Sequence, residues 1–492
     1  MSGYRTGVDR GQAALFPERL DDYIAEENEV RVIDAFVDGL DLVALKVARA
    51  LPARTGAPGY HPRDLLKLYV YGYLNRVRSS RRLERECRRN VELMWLMRRL
   101  APDHKTIADF RKTNAGALRQ VCREFTVVCK ELDLFGRELT FIDGTKIQAS
   151  NGKDRNFTVE RLKKLLPLVD KRIGEYLAEL DQQDAGEEET AQRKSLKEKL
   201  ERLKQRRATY EQYQEELKAG DERQISLTDA ESRRMKTREG FGVCYNAQIA
   251  VDPKHHLIAA NDVTSEVNDR EQLAVMARAA KEALGLDAEE ELEAVADCGY
   301  HNATKAKECA EAKITAYVPA VESSKNANKG LFTKQDFSYD AGRDAYLCPN
   351  QQWLVFLTQS RDKGHEVRYY ANGAACRGCP LRAKCTSSKD EGRRVSRRVD
   401  EPWAEAMAAR VKVRPELQQQ RKCVVEHPFG TMKRTMDFGY FLLRGLEKVR
   451  GEFSLMALSY NLRRAIGVLG VKCLLEALRT RGEGRTGVLA TA

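Results

Sequence analysis

The sequence predicts an α/β fold: a mixed sheet with flanking helices, carrying an all-α N-terminal domain, a charged helical hairpin insertion and a small Cys-rich insertion. Three observations predict it. Apolar runs at Leu139–Ile147, Val243–Asp252, Leu257–Ala260, Leu292–Val295 and Ile314–Val318 read as strands, with helical patterns between the later ones. Residues 159–220 are dominated by Glu, Lys, Arg, Leu and Gln, the composition of long exposed helices. Between 321 and 400, four cysteines punctuate a stretch rich in Gly, Lys, Ser, Asp and Arg.

At 492 residues the chain exceeds one ordinary core, so several domains are expected. Apolar runs fall short of the roughly 20 residues that span a membrane, and the N-terminus lacks the apolar core of a signal peptide, so a cytoplasmic, nucleoid-associated protein is expected. Lys and Arg exceed Asp and Glu by 85 to 73, a net charge of +12, which favours a polyanionic partner. Twelve cysteines in a chain of cytosolic type read as free thiols or metal ligands rather than disulfides.

Taken in order, residues 1–135 are expected to be helical. A polar leader precedes apolar points at Val32, Ile33, Phe36 and Val37; His61-Pro62 opens a helix through Leu74; Ser79-Ser80 caps another. That helix carries Arg81, Arg82 and Arg85, with Arg88 and Arg89 behind, a cluster that suits phosphate contacts, against the plainer reading of a solvated face. Residues 136–320 hold the first part of the sheet. There an apolar strand is expected to end on Asp143 and turn at Gly144, and another to end on Asp297 before a helix starting near Asn302. The hairpin at 159–220 breaks at Asp184-Ala185-Gly186 and reads as a solvated spacer, with a dimer contact or a DNA rail as the alternative. Asp252, Asp262 and Asp269 read as loop and cap acids, with Asp269 a candidate for supporting the site.

In 321–400, Cys348, Cys376, Cys379 and Cys385 supply a C-x2-C knuckle with flanking thiols, which suits structural zinc in an insert short of apolar residues; unliganded thiols are the competing reading. Residues 401–478 are helical, and 479–492 read as a disordered tail. Glu426 and Lys433 stand seven residues apart, two turns of an unbroken helix, although Pro428 disfavours helix at His427 just before it.

Asp143, Asp297, then Glu426 followed by Lys433: in this ordered set the sequence resembles the DDE transposases of bacterial insertion sequences, from Arg54 to Arg464. The resemblance implies a ribonuclease H-like core, an N-terminal helical domain that grips transposon ends, and metal-dependent DNA cleavage and strand transfer. It implies Asp143, Asp297 and Glu426 as ligands of two Mg2+ or Mn2+ ions, because in-line displacement at phosphorus is served by two hard cations held by carboxylates. Lys146, Lys422, Lys433, Arg434, Arg81, Arg82 and Arg85 are the expected contacts to double-stranded DNA, both inverted repeats and target, and a homodimer is expected. The chain departs from the family in having Lys422 and Gln419 where an Arg and a Tyr are usual, and His427 between Glu426 and the proline. A sequence-specific DNA-binding protein with an inactive nuclease-like core is the alternative, and a general nuclease a third reading.

Overall fold

A computed structural model of the chain describes residues 19–52, 59–183, 191–220, 224–320, 326–362, 365–388 and 391–489. Side-chain caps set the starts of most N-terminal helices. Helix α1 (Glu29–Asp38) follows Asn28, α2 (Pro62–Leu74) starts on a proline after His61, and α3 (Ser80–Glu86) follows Ser79. Asn90 caps α4 (Val91–Leu96), Asp103 caps α5 (His104–Thr113), and α6 (Ala115–Glu131) follows directly. Every residue of α2 except Arg63 is buried, including Asp64, paired with Arg98, and Lys67, paired with Asp34 and Asp38. In α3, Leu83 is buried while Arg81, Arg82 and Arg85 are exposed.

The principal sheet begins with β1 (Leu139–Gln148). A small pair, β2 (Asn156–Thr158) and β3 (Gln224–Ser226), brackets the long helices α7 (Val159–Gln183) and α8 (Ala191–Ala219). The hairpin has its own minor core of Phe157, Leu162 and Leu217. Its expected break at 184–186 lies outside the described residues. β4 (Arg233–Thr237), β5 (Gly240–Val251) and β6 (Ile258–Thr264) follow as antiparallel neighbours, with β4 and β6 both pairing with β5. Then come α9 (Gln272–Leu284), β7 (Leu292–Val295), α10 (Ala303–Glu311) and β8 (Ile314–Tyr317). β5 is antiparallel to β1, while β7 lies on the other side of β1, parallel to it and to β8. The sheet is therefore mixed, and the crossover sets β7 directly beside β1.

The Cys-rich segment is more ordered than its composition suggests. It forms a five-stranded antiparallel sheet of β9 (Ser338–Asp340), β10 (Ala345–Leu347), β11 (Trp353–Asp362), β12 (His365–Ala371) and β13 (Arg394–Arg398). Between β12 and β13 lie two short helices, α11 (Gly373–Arg377) and α12 (Arg382–Cys385). Phe337, Tyr346, Leu354, Tyr370 and Val395 make its small separate core. Thus aromatic residues supply the burial that was not expected there.

The chain closes with α13 (Glu401–Val413), α14 (Glu416–Gly430), α15 (Leu446–Leu469) and α16 (Val471–Leu489). α15 is buried along most of its length. Its Asn461 accepts from Ile258 N at 2.9 Å and donates to Ile258 O at 2.8 Å, while its buried Glu452 accepts from Tyr73 Oη of α2 and the amides of Leu442 and Leu443. One hydrophobic core consequently runs from Ile24 to Leu478 through the N-terminal helices, the principal sheet and α15. Where a disordered tail is expected from residue 479, helix α16 continues to Leu489; Arg481 ties it to α6 through Glu124 at 3.3 Å and Glu131 at 2.8 Å.

Candidate active site

The parallel register of β1 and β7 runs from Leu139 opposite Glu293 to Phe141 opposite Val295. Two residues further along each segment stand Asp143 and Asp297, so the crossover brings these two acids together. The strand does not end at Asp143 as expected. It continues through Gly144 to Gln148, because β5 is long enough to pair with it as far as Cys244. Asp297 does lie past the end of its strand, where its Oδ1 accepts from Gly299 N at 2.8 Å.

Asp143 Oδ1 accepts from Gly144 N at 2.8 Å, and its Oδ2 is 3.2 Å from Nη1 of Arg421 on α14. Burial pushes the Asp143 carboxyl up to about 6; Arg421 opposes the rise, while the charges of Asp297 and Asp269 add to it. Arg421 is only 7% exposed. Its ion pair with Asp143 is not aligned as a hydrogen bond, which leaves Nε and Nη1 as buried donors without one.

Asp269, just before α9, is fastened by three donors. Its Oδ1 accepts from Asn246 Nδ2 at 2.6 Å, Gln248 Nε2 at 2.8 Å and Lys146 Nζ at 3.3 Å. Gln248 in turn accepts from the buried Tyr300 hydroxyl, whose pKa is raised first by burial and then by Asp269, Asp143 and Asp297. A Cβ on Gly299 would sit 2.9 Å from Asp297 Oδ1 and 3.7 Å from Asp269 Oδ2, so these two carboxylates crowd the same turn. The outcome is a polar base of Asn246, Gln248 and Tyr300 beneath three neighbouring acids.

Glu426 is exposed on α14. Five residues after Arg421, it is rotated by about 140° from the face that meets Asp143, at 100° per helical residue. The helix passes through Pro428 unbroken to Gly430 and then widens into a π turn at Thr431–Thr435, where Thr431 N bonds both His427 O and Pro428 O. This wider turn replaces the expected stacking of Glu426 over Lys433. Lys433 is exposed as a residue, but its ammonium is seated on β1, 2.5 Å from Thr145 Oγ1 and 3.3 Å from Lys146 O; desolvation there lowers its pKa. Lys422 and Arg434 are exposed, and Lys146 is committed to Asp269.

Among the described residues, no group of three or more His, Cys, Asp or Glu side chains is arranged to hold a metal ion. Asp143 and Asp297 therefore meet without Glu426 closing a three-carboxylate centre. Cys348, Cys376, Cys379 and Cys385 are free and line one cavity beside Phe337 and Leu354. Burial raises the Cys385 thiol pKa first, with smaller contributions from the other three cysteines, and Gln352 N lies 3.4 Å from Cys348 Sγ.

Sequence reasoning missed Arg421, Asn246, Gln248 and Tyr300. Asn246 and Gln248 stand at alternate positions of an otherwise apolar strand, a pattern that marks polar groups on a buried face. Arg421, one residue from the position that was considered, carried no comparable signal.

Two family models match the chain: Transposase domain (DUF772) over residues 18–113 and Transposase DDE domain over residues 347–466. The second covers Arg421, Glu426 and Lys433, whereas Asp143 and Asp297 fall between the two. No curated protein and no solved structure matches.

Proposed function

The two matched domains identify the chain as a DDE transposase of an insertion sequence, and from that premise we propose that it binds the terminal inverted repeats of its element and carries out metal-dependent DNA cleavage and strand transfer. The observation that carries the reading is the β1–β7 register, which brings Asp143 beside Asp297. The strand order supports a ribonuclease H-like core: β1 pairs antiparallel with β5, which carries both β4 and β6 on its other edge, and the two parallel strands β7 and β8 lie on the far side of β1.

In this reading Asp143, Asp297 and Glu426 hold two Mg2+ or Mn2+ ions. Asp143 fits a cation, because its carboxyl is desolvated and faces the charge of the neighbouring Asp297. Glu426, exposed and about 140° round α14 from Arg421, enters the set through the resemblance and not through its position. The bound ions would supply an activated water or 3′-hydroxyl and stabilise the departing oxygen. The chain's own groups do the rest. Lys433, reaching from the π turn to β1, with Lys146, Lys422 and Arg434, lines the approach to the acids, and the exposed Arg81, Arg82 and Arg85 of α3 meet repeat phosphates. Functionally, residues 1–135 serve as the DNA-gripping unit and 136–320 with 401–478 as the catalytic unit, acting as a homodimer in the cytoplasm; among the described residues no helix is long and apolar enough to cross a membrane. The four cysteines of 321–400 would take structural zinc by drawing their thiols inward.

The test is nicking of repeat-bearing duplex DNA with Mg2+ or Mn2+. Wild type should cut, while Asp143→Asn and Asp297→Asn should lose at least about a hundredfold, the scale of removing a principal electrostatic group. Unchanged cutting by Asp143→Asn would refute the catalytic assignment. The outward position of Glu426 favours a second reading, a sequence-specific DNA-binding protein with an inactive core; repeat binding without cutting by wild type would support that instead.

A further inference from the structure

We infer that the α7–α8 hairpin is an arm that pairs with the same arm of a second copy of this chain, the two forming a four-helix bundle. The inference rests on the proposed homodimer and assigns the surface that forms it. α7 carries two heptad series of apolar residues on adjoining positions: Leu162, Val169 and Tyr176 in one, Leu166, Ile173 and Leu180 in the other. α8 returns Leu196, Leu200, Leu203 and Leu217, all buried, and Leu162 and Val169 of the first series are buried likewise. The second series stays half-buried, and Leu177 beside it is 42% exposed. A stripe of that width serves more than one neighbouring helix, as in a bundle, whereas a lone pair needs only a narrow seam. Within the chain the hairpin packs on β2 and β3 at its base. One acid interrupts the uncovered series, Asp170, and its charge is met across the hairpin by Arg207 at 2.6 Å.

Charge selects the occupant. The whole chain is basic, with 85 Lys and Arg against 73 Asp and Glu, yet residues 159–220 hold as many acids as bases. A polyanion therefore gains little on the arm, while two copies meet there without the repulsion carried by the rest of their surfaces. The balance is also polarised along the outer half of the arm. From Asp170 to Gln183 α7 has more acids than bases, and α8 from Ala191 to Arg207 has far more bases than acids. With two arms parallel about a twofold axis, α7 of each lies along α8 of the other, so opposite charges face on both sides of the bundle. The area suffices as well. Helices of 25 and 29 residues side by side present a face of at most about 38 Å by 20 Å, roughly 760 Å2, against the ~800 Å2 per partner of a standard interface.

The test is sedimentation equilibrium of the full chain. Wild type should be a dimer. I173E/L177E, which charges the uncovered stripe and spares the buried seam, should weaken dimerisation about a hundredfold, the scale of losing two apolar anchors of an interface. L168E, at a leucine that is 59% exposed but off the stripe, should leave it unchanged. If circular dichroism finds I173E/L177E unfolded, the arm is removed instead. Thr158 and Gln224 are register partners, so a two-residue Asn-Gly turn can replace residues 159–223, and this chain should be monomeric. An equally tight dimer without the arm would overturn the arm as the interface and leave the homodimer and transposase readings standing. Wild type found monomeric while it still cuts repeat DNA would overturn the arm and the homodimer together, but not the cleavage reading. Unchanged dimerisation of I173E/L177E with weakened binding of duplex DNA would overturn the inference in favour of DNA against the arm.

Discussion

Asp269 roofs Gly144: a Cβ at position 144 would stand 2.9 Å from Asp269 Oδ1, the oxygen already held by Asn246, Gln248 and Lys146. The glycine here does not make a turn, since β1 runs straight through it. Its missing side chain lets the polar base close over the strand next to Asp143. Gly144→Ala should therefore displace Asp269 and Gln248 together, reducing DNA nicking at least about tenfold while costing about 1–3 kcal/mol of stability, the range for overpacking a tight site. Nicking rate and urea unfolding, measured on the same preparation, check both. A variant that cuts at the wild-type rate would show that the contact does not shape the site.

The order of β1, β5, β6, β7 and β8 with the helices between the later strands was legible in the sequence, because each of those strands is an apolar run bounded by polar turns, whereas β4, Arg-Arg-Met-Lys-Thr, gave no such signal. The convergence of Asp143 and Asp297 follows from that order alone. What could not be read is anything decided by phase across elements. Whether Glu426 or Arg421 faces Asp143 depends on the rotation of α14, which Pro428 and the following π turn leave open in sequence terms. The sheet of the Cys-rich segment was hidden for another reason: β9 and β10 are three residues each, β13 reads Arg-Val-Ser-Arg-Arg, and five residues suffice for its small core.

The close approach of α15 to α6 ties the N-terminal helices to the sheet. A Cβ on Gly451 would meet Ala115 O at 2.5 Å, a backbone atom that no rotamer change can move aside. Gly451→Ala should cost about 1–3 kcal/mol despite alanine's better helix propensity, because overpacking exceeds the roughly 1 kcal/mol that propensity returns. Chemical denaturation measures it, and an unchanged or raised midpoint would contradict this packing.

Stability should also fall in mild acid. His256 and His427 face each other at 5.4 Å between ring centroids, and His427 Nδ1 lies 2.9 Å from Tyr460 Oη. Burial lowers both pKa values first, then Arg464, then for His427 the charge of His256 and for His256 that of the adjacent His255. A base with a depressed folded pKa binds fewer protons folded than unfolded, so stability is full above the unfolded value of about 6.5 and is lost as pH falls below it. Thermal melting from pH 7.5 to 5.5 should show this decline, and the double variant H256Q/H427Q should decline less. Parallel declines in both proteins would assign the effect to other groups.

The four cysteines give the last prediction. Their sheet buries only five hydrophobic residues in its core, so it is short of the burial that holds a small unit together. All four thiols open on the same cavity and no disulfide joins them, and Cys385 is close enough to the other three for their charges to act on its ionisation. As they stand they are not arranged around a common point, but thiolates binding zinc at about 2.3 Å would contract the cavity and release protons. Protein purified from zinc-containing medium should carry about one zinc per chain. Replacing Cys376 and Cys379 with serine should remove the metal and make β9–β13 more sensitive to proteolysis, while the principal sheet keeps its melting transition. Metal analysis that finds no zinc in the wild-type protein after such preparation would leave the cysteines as unliganded thiols held by the aromatic core alone.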